Sequence, residues 1–281
     1  MGQKRYLVTG ANGYIGKHVV DELLRLGYGV VACDVNFDAV SPEAEKLSVD
    51  ISDSSINVFE LAGKPDGMIH LAWRNGFKHN ADTHLKDLSI HTEFIERMIN
   101  AGLKSITVMG SMHEVGYFEG AIKPDSPANP LSLYAIAKNS LRQAVEVLSK
   151  GKDVSFKWLR GFYIYGDDEK SNSVLGKILL ADREGKKSFP FTSGKNLYDF
   201  IHVEKLAEQI VAAAVQDKYT GIINCCTGNP ISLSEMAERF IKENNLSIRL
   251  EYGAFPDRPY DSPGIWGDAT LINKILSERK A

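Results

Sequence analysis

Three side chains in this 281-residue chain stand at spacings that could move a proton. Tyr134-Ala135-Ile136-Ala137-Lys138 sets a phenol and an ammonium four residues apart, on one face of any helix that contains them. A positive charge beside a phenol favours phenolate and draws its pKa down toward the working pH, which makes Tyr134 a usable acid or base. Ser111, 23 residues before Tyr134, closes the apolar run Lys104-Ser105-Ile106-Thr107-Val108-Met109-Gly110. A hydroxyl there would be a donor to a developing oxyanion.

The elements that must position this trio begin near the N-terminus. Tyr6-Leu7-Val8 reads as a strand, Lys17 to Leu26 as a helix, and between them lies Thr9-Gly10-Ala11-Asn12-Gly13-Tyr14-Ile15-Gly16. Gly10 allows a tight turn, Gly13 lets backbone come close to a pyrophosphate, and Gly16 lets helix pack on strand. The unpaired N–H groups at the helix start then hold the anion. A second strand, Gly29 to Cys33, ends in Asp34, 18 residues beyond Gly16 and placed to accept hydrogen bonds from a ribose. Asp34 would repel a 2′-phosphate, and no Arg or Lys lies between it and Glu45, so the pattern predicts NAD over NADP.

Further along, Val35 to Lys64 is polar and turn-rich, Gly67 to Ala72 is a buried strand, and His84 to Ala101 is an amphipathic crossover helix with Leu88, Phe94, Ile95, Met98 and Ile99 on its apolar face. A helix running to Lys150 and a strand from Val154 to Arg160 follow. His79, His84 and His91 lack the cysteine or carboxylate that would complete a metal set, so no metal is expected. Net charge is −3 and no basic run, Lys186-Lys187 included, exceeds two residues, which offers nothing for nucleic acid or an anionic membrane. No apolar run reaches membrane-span length, and the N-terminus enters a strand without a signal-peptide pattern. With three cysteines not disposed as a disulfide framework, the cytosol is the expected compartment.

The Thr-Gly-x-x-Gly-x-x-Gly spacing, the Ser111 strand end and Tyr134-x-x-x-Lys138 together resemble the short-chain dehydrogenase/reductase superfamily. The branch they resemble is the extended one, of nucleotide-sugar epimerases, dehydratases and reductases. The likeness runs from Thr9 to about Thr270. It implies an α/β fold, a Rossmann doubly wound parallel sheet with a small C-terminal substrate-binding lobe. Residues 1–166 and 198–231 would form the NAD-binding domain, and 167–197 with 232–281 the lobe. Ser111, Tyr134 and Lys138 would be catalytic, with Lys138 at the nicotinamide ribose. Cofactor contacts would come from Gly10, Asn12, Gly13, Tyr14, Ile15, Gly16, Asp34, Asp50, Ile51, Leu71, Ala72 and Trp73, besides Tyr134 and Lys138.

For the substrate the resemblance implies Met112, His113, Tyr163, Phe189, Tyr198 and Arg258. Two of these depart from the family pattern: Tyr163 stands where an Asn is usual, and Tyr198 where an Arg grips a phosphate. Dehydratases carry Asp-Glu after the catalytic hydroxyl; here Met112-His113 stand there, and a thioether neither gives nor takes a proton, which disfavours dehydration. The resemblance therefore leaves an NDP-4-keto-6-deoxyhexose reductase, favoured by the run Gly110 to Gly120, then an NDP-hexose 4-epimerase, then a silent dinucleotide-binding regulator. It also implies a homodimer, paired through the helices that begin near His84 and Tyr134.

Overall fold

Apolar runs that alternate with amphipathic stretches call for a sheet covered on both faces. The computed structural model, which describes residues 3–166, 173–257 and 261–280, has that sheet at its centre. β1 (Arg5–Thr9) pairs in parallel with β2 (Gly29–Asp34) on one side and β4 (Gly67–His70) on the other. β3 (Glu45–Ser48) lies beyond β2, while β5 (Ser105–Ser111), β7 (Ser155–Gly161) and β12 (Gly221–Cys225) extend the other side. Among the described residues the order is β3-β2-β1-β4-β5-β7-β12, seven parallel strands. Connections reverse direction between β1 and β4, and such a switch point opens a crevice at the carboxyl ends of the strands.

Alternate residues of one strand serve opposite faces. Val8 packs beneath α1 (Gly16–Arg25) and α7 (Val203–Val215), with Val19, Val20, Leu23, Leu206 and Ile210. Leu7 faces α4 (Leu88–Ala101) and α5 (Leu133–Ser149), with Phe94, Ile95, Met98, Leu141 and Val145. Each such buried side chain contributes roughly 1.5–3 kcal/mol, so the sheet is held from both sides. The expected crossover helix is interrupted at Asp87, where Arg74 pairs with the carboxylate, leaving a single turn, α3 (Thr83–Lys86), ahead of α4. β3 and the short α2 (Val58–Leu61) fall in the stretch that reads as polar and turn-rich. Glu45, Lys46 and Ser48 are exposed in β3, and an edge strand of that kind has no apolar run to announce it.

A second layer of structure sits over the carboxyl edge. β10 (Leu197–Tyr198) pairs with β13 (Ile231–Ser232) and β15 (Gly264–Gly267), and β15 with β6 (Gly120–Ile122). β9 (Ser188–Pro190) pairs with β14 (Arg249–Glu251), and β8 (Tyr163–Tyr165) with β11 (Phe200–His202). α6 (Val174–Arg183) and α8 (Leu233–Glu243) enclose a separate small core of Leu175, Ile178, Phe191, Met236 and Phe240. Buried Asp199 fastens this layer to the main sheet by accepting the backbone N–H groups of Thr227, Gly228 and Gly267 at 2.9, 2.9 and 3.1 Å. The last helix, α9 (Thr270–Lys280), puts Ile272 and Ile275 into the core beneath α1 and α7, which Ile265 and Ala269 also join, whereas Met236, Phe240 and Ile248 pack in the small core.

Candidate active site

The glycine turn is shaped by close backbone approach. Gly10 has φ +68°, and a Cβ there would lie 2.6 Å from Ala72 N, so the segments after β1 and β4 meet at the switch point. That contact brings Leu71 and Ala72 beside the turn. A Cβ on Gly16 would run into Gly10 O, which fixes glycine where the helix begins. α1 starts at Ile15 with no side-chain cap and no acidic residue in its first turn. Asp34, at the end of β2, accepts the Asn12 N–H at 2.9 Å, and the Asn12 side chain accepts the Ala39 N–H at 2.7 Å. Tyr14 reaches across the crevice and donates to Gly166 O at 2.5 Å. Asp50 and Ile51 follow β3, with the Ile51 carbonyl held by Arg97 at 2.8 Å.

One strand further, Ser111 terminates β5 and Tyr134 opens α5, whose N-cap Ser132 accepts the Ala135 N–H at 3.2 Å. The Ser111 hydroxyl accepts the His113 N–H at 3.3 Å and works to lower the pKa of the Tyr134 phenol. Lys138, one turn on, is buried, donates from Nζ to Met109 O at 2.8 Å, and places the ammonium 3.9 Å from the Trp73 ring centroid. An ammonium over an indole face is attracted by the ring's quadrupole. Ser111, 23 residues before Tyr134, thus comes together with Tyr134 and Lys138.

The electrostatics differ from the simple expectation that Lys138 draws the Tyr134 pKa down. Burial dominates instead: it pushes the phenol up to about 12 and pulls the Lys138 ammonium down to about 7. Lys138 is turned onto a carbonyl and an indole, 6.0 Å from the phenol ring centroid. At neutral pH the Tyr134 phenol therefore keeps its proton and is not a phenolate.

Around the phenol lies a wall of rings. His79 stacks on Tyr134 at 5.3 Å with planes 13° apart, and its carbonyl accepts the Tyr134 N–H at 2.8 Å. His113 contacts His79 edge-on at 4.5 Å; burial lowers its pKa to about 4. His84 accepts the Trp73 indole N–H at 3.1 Å, and His91 stacks on the other part of that indole at 4.6 Å. His70 bridges His91 and Thr9, at 3.0 and 2.7 Å. Among the described residues no group of three or more His, Cys, Asp and Glu could hold a metal ion.

Of the residues expected at the substrate, His113 lies at Tyr134, whereas Met112 is buried in the main core. Tyr163 and Tyr198 pack on each other at 4.4 Å, joined by Phe200. Phe189 leans on the small core of the upper layer, and Arg258 lies outside the described residues. The sequence reading missed His79 and His84 as neighbours of the phenol, because the loop that carries His79 and the turn α3 that carries His84 are placed by contacts with α5. It also missed Glu114, although Ser111 and Glu114 show the S-x-x-E spacing of a capping box, and both of its hydrogen bonds form here.

A glycine turn at a helix start and a Ser-Tyr-Lys cluster two strands away are marks of a family, and the model of the NAD dependent epimerase/dehydratase family matches residues 6–226. This chain belongs to that family. A dTDP-6-deoxy-L-talose 4-dehydrogenase (NAD(+)) of Aggregatibacter actinomycetemcomitans is 44% identical over 268 residues, which cover 93% of this chain and 98% of that one. A putative UDP-glucose 4-epimerase of Methanocaldococcus jannaschii is 26% identical, over 92% and 85%. The structure of a UDP-N-acetylglucosamine 4-epimerase from Methanobrevibacter ruminantium superposes with a TM-score of 0.85 at 22% identity, over 98% of this chain and 92% of that one, a likeness of fold. Like others of the NAD dependent epimerase/dehydratase family, this protein is an NAD-dependent enzyme of nucleotide-sugar chemistry. The residues present fit the cofactor: the uncapped start of α1, the glycines that a Cβ would obstruct, and Asp34 at the ribose end. When bound, NAD supplies or accepts the hydride.

Proposed function

We propose that the protein works at C4 of a nucleotide-linked 6-deoxyhexose, reducing an NDP-4-keto-6-deoxyhexose with Tyr134 as proton donor. The observation that carries this is the 44% identity, over nearly the full length of both chains, to a dTDP-6-deoxysugar 4-dehydrogenase; the 4-epimerases compared above stand at 22–26%. The chemistry of the pocket supports the reductive direction. Burial keeps the phenol protonated at neutral pH, so a proton is in place when a ketone is reduced to an alcohol.

In this reading Ser111 donates to the ketone oxygen and Tyr134 protonates it, while Lys138 holds the nicotinamide ribose. His79 and His113 bound the space beside the phenol, and the upper layer, residues 173–197 and 232–267, receives the sugar nucleotide. The Tyr163–Tyr198 pair offers aromatic surface where relatives use an Asn and an Arg, so the diphosphate must draw its charge partner from elsewhere, with Arg258 as the residue proposed. We further propose a cytoplasmic homodimer paired through α4 and α5. Exposed Leu85, Ile136 and Val147, on α3 and α5, supply apolar surface for it. No helix among the described residues is long and apolar enough to cross a membrane.

The test is to mix the protein with NADH and a dTDP-4-keto-6-deoxyhexose and follow the absorbance of the reduced nicotinamide. One NADH consumed per alcohol formed supports the reductase. If no 4-keto sugar oxidises NADH while UDP-hexoses equilibrate at C4 without net cofactor change, the protein is an epimerase.

A further inference from the structure

The segment between β4 and α3, residues 71–82, does more than connect them, because it meets the start of the helix that carries Tyr134. The N–H groups that open a helix lack partners within it, and this segment takes two of them. His79 O accepts the Tyr134 N–H at 2.8 Å and Asn80 Oδ1 accepts that of Leu133 at 3.3 Å, while Ser132 Oγ accepts that of Ala135 at 3.2 Å. The segment is itself braced. Arg74 pairs with Asp87, Asn75 Nδ2 donates to Thr83 Oγ1 at 3.1 Å, and the Lys78 and Ala81 N–H groups bond Asn75 O and Lys78 O at 2.8 Å each. His84 completes the brace: its Nδ1 accepts the Trp73 indole N–H at 3.1 Å, so the proton is on Nε2, which donates to Lys78 O at 3.0 Å.

A backbone carbonyl suffices to cap a helix, yet His79 also lays its ring on the phenol, with centroids 5.3 Å apart and planes 13° apart. The other rings against Tyr134 meet it at an angle: His84 at 5.3 Å and 65°, His113 at 6.4 Å and 73°, Trp73 at 6.2 Å and 80°. Among the described residues His79 is therefore the ring that covers a face of the phenol. His113 holds His79 edge-on at 4.5 Å. A ring against its face stops the phenol from tilting that way and sets the plane of the ring. The phenol O–H prefers that plane, so the stack aims the proton.

We propose that His79 is a positioning residue of the active site, whose carbonyl fixes where Tyr134 enters α5 and whose ring fixes the plane of the phenol. The inference rests on Tyr134 as the group that passes the proton, and it holds whether the sugar is reduced or epimerised. Its agent is the flat face of the ring at 79. A replacement that keeps the face keeps the function, and one that keeps only the backbone loses it.

The experiment compares His79→Ala, His79→Leu and His79→Phe in the full chain. Steady-state kinetics are measured in whichever reaction the wild type catalyses, NADH oxidation by a dTDP-4-keto-6-deoxyhexose or C4 equilibration of a UDP-hexose. His79→Ala and His79→Leu should lower kcat roughly tenfold to a hundredfold, the scale on which misplacing a reacting group acts, and leave KM and NADH affinity within about twofold. His79→Phe, which keeps a flat ring and the carbonyl, should recover most of the rate. If His79→Phe is as slow as His79→Ala, a ring nitrogen acts and not the ring face; if His79→Leu is as fast as His79→Phe, bulk alone suffices. Either result overturns the inference, as does an unchanged kcat in His79→Ala or a loss confined to KM. Should circular dichroism show His79→Ala unfolded, the leucine and phenylalanine substitutions carry the comparison. A wild type that turns over neither sugar would refute the proposed reaction, and the inference is then read by fluorine NMR with 3-fluorotyrosine in place of Tyr134. Its fluorine lies off the ring axis, so a held ring gives two signals related by a flip, expected for wild type and His79→Phe, and a freed ring gives one averaged signal, expected for His79→Leu. One pattern shared by all three overturns the inference.

Discussion

The glycine turn and the Ser111 pocket lie at the same edge of one sheet yet are made of different materials. The turn is backbone: its specificity is in what is missing from Gly10 and Gly16, and its attraction for an anion comes from peptide dipoles that no pH change removes. The pocket is side chain, assembled from β4, β5, α5 and the His79 loop, and burial moves its pKa values by two to four units. A site of the first kind fails by steric intrusion; one of the second kind fails by loss of a proton or a charge. Each kind of failure can be provoked separately.

The largest expected effect is in the pocket. Tyr134→Phe should lower kcat by roughly a hundredfold to ten-thousandfold, the usual worth of a general acid, and leave NADH affinity within about twofold, read by steady-state kinetics beside a binding titration. Near-normal turnover would remove Tyr134 from the mechanism and blur the distinction drawn here.

The reciprocal change is Gly16→Val. Its Cβ meets Gly10 O, so the helix start must shift, and NADH affinity should fall about a hundredfold while circular dichroism retains the fold. Unchanged binding would mean that the cofactor does not rest on the start of α1.

A smaller effect is expected at Asp34→Asn, which removes the charge but keeps an acceptor for the Asn12 N–H. The ratio of NADPH to NADH affinity should rise about tenfold, on the order of the gain from lifting one charge repulsion. A ratio that does not move would place the ribose away from Asp34.

The smallest effect concerns stability, and only the pocket side should show it. Burial lowers the His91 pKa from an ordinary 6.5 to about 3, and that of His70 also falls well below its usual value. The unfolded chain then binds more protons than the folded one below pH 6.5, so stability drops as pH falls from there toward 3 and is fully retained above it. Each such histidine contributes a slope of up to about 1.4 kcal/mol per pH unit. Urea unfolding at pH 7, 6 and 5 measures it, and a His91→Gln variant should show the shallower dependence.

Much of this was legible in the chain. Strand, turn and helix around Gly10, Gly13 and Gly16 are local, set by residues a few positions apart, and the i,i+4 pair Tyr134 and Lys138 needs only a helix to share a face. Asp34 at a strand end is likewise fixed by counting along the chain. What the sequence could not determine is what surrounds those groups. His79 reaches Tyr134 because its loop closes over the start of α5, through backbone 55 residues away. Tyr163 and Tyr198 meet because β8 and β11 pair side by side. Glu114 is buried because β7 brings Trp158 and Arg160 against it. Spacing prescribes which groups a helix or turn presents, whereas a pKa depends on water removed by residues remote in the chain. The phenol that spacing alone would draw toward phenolate is for that reason, once folded, held protonated.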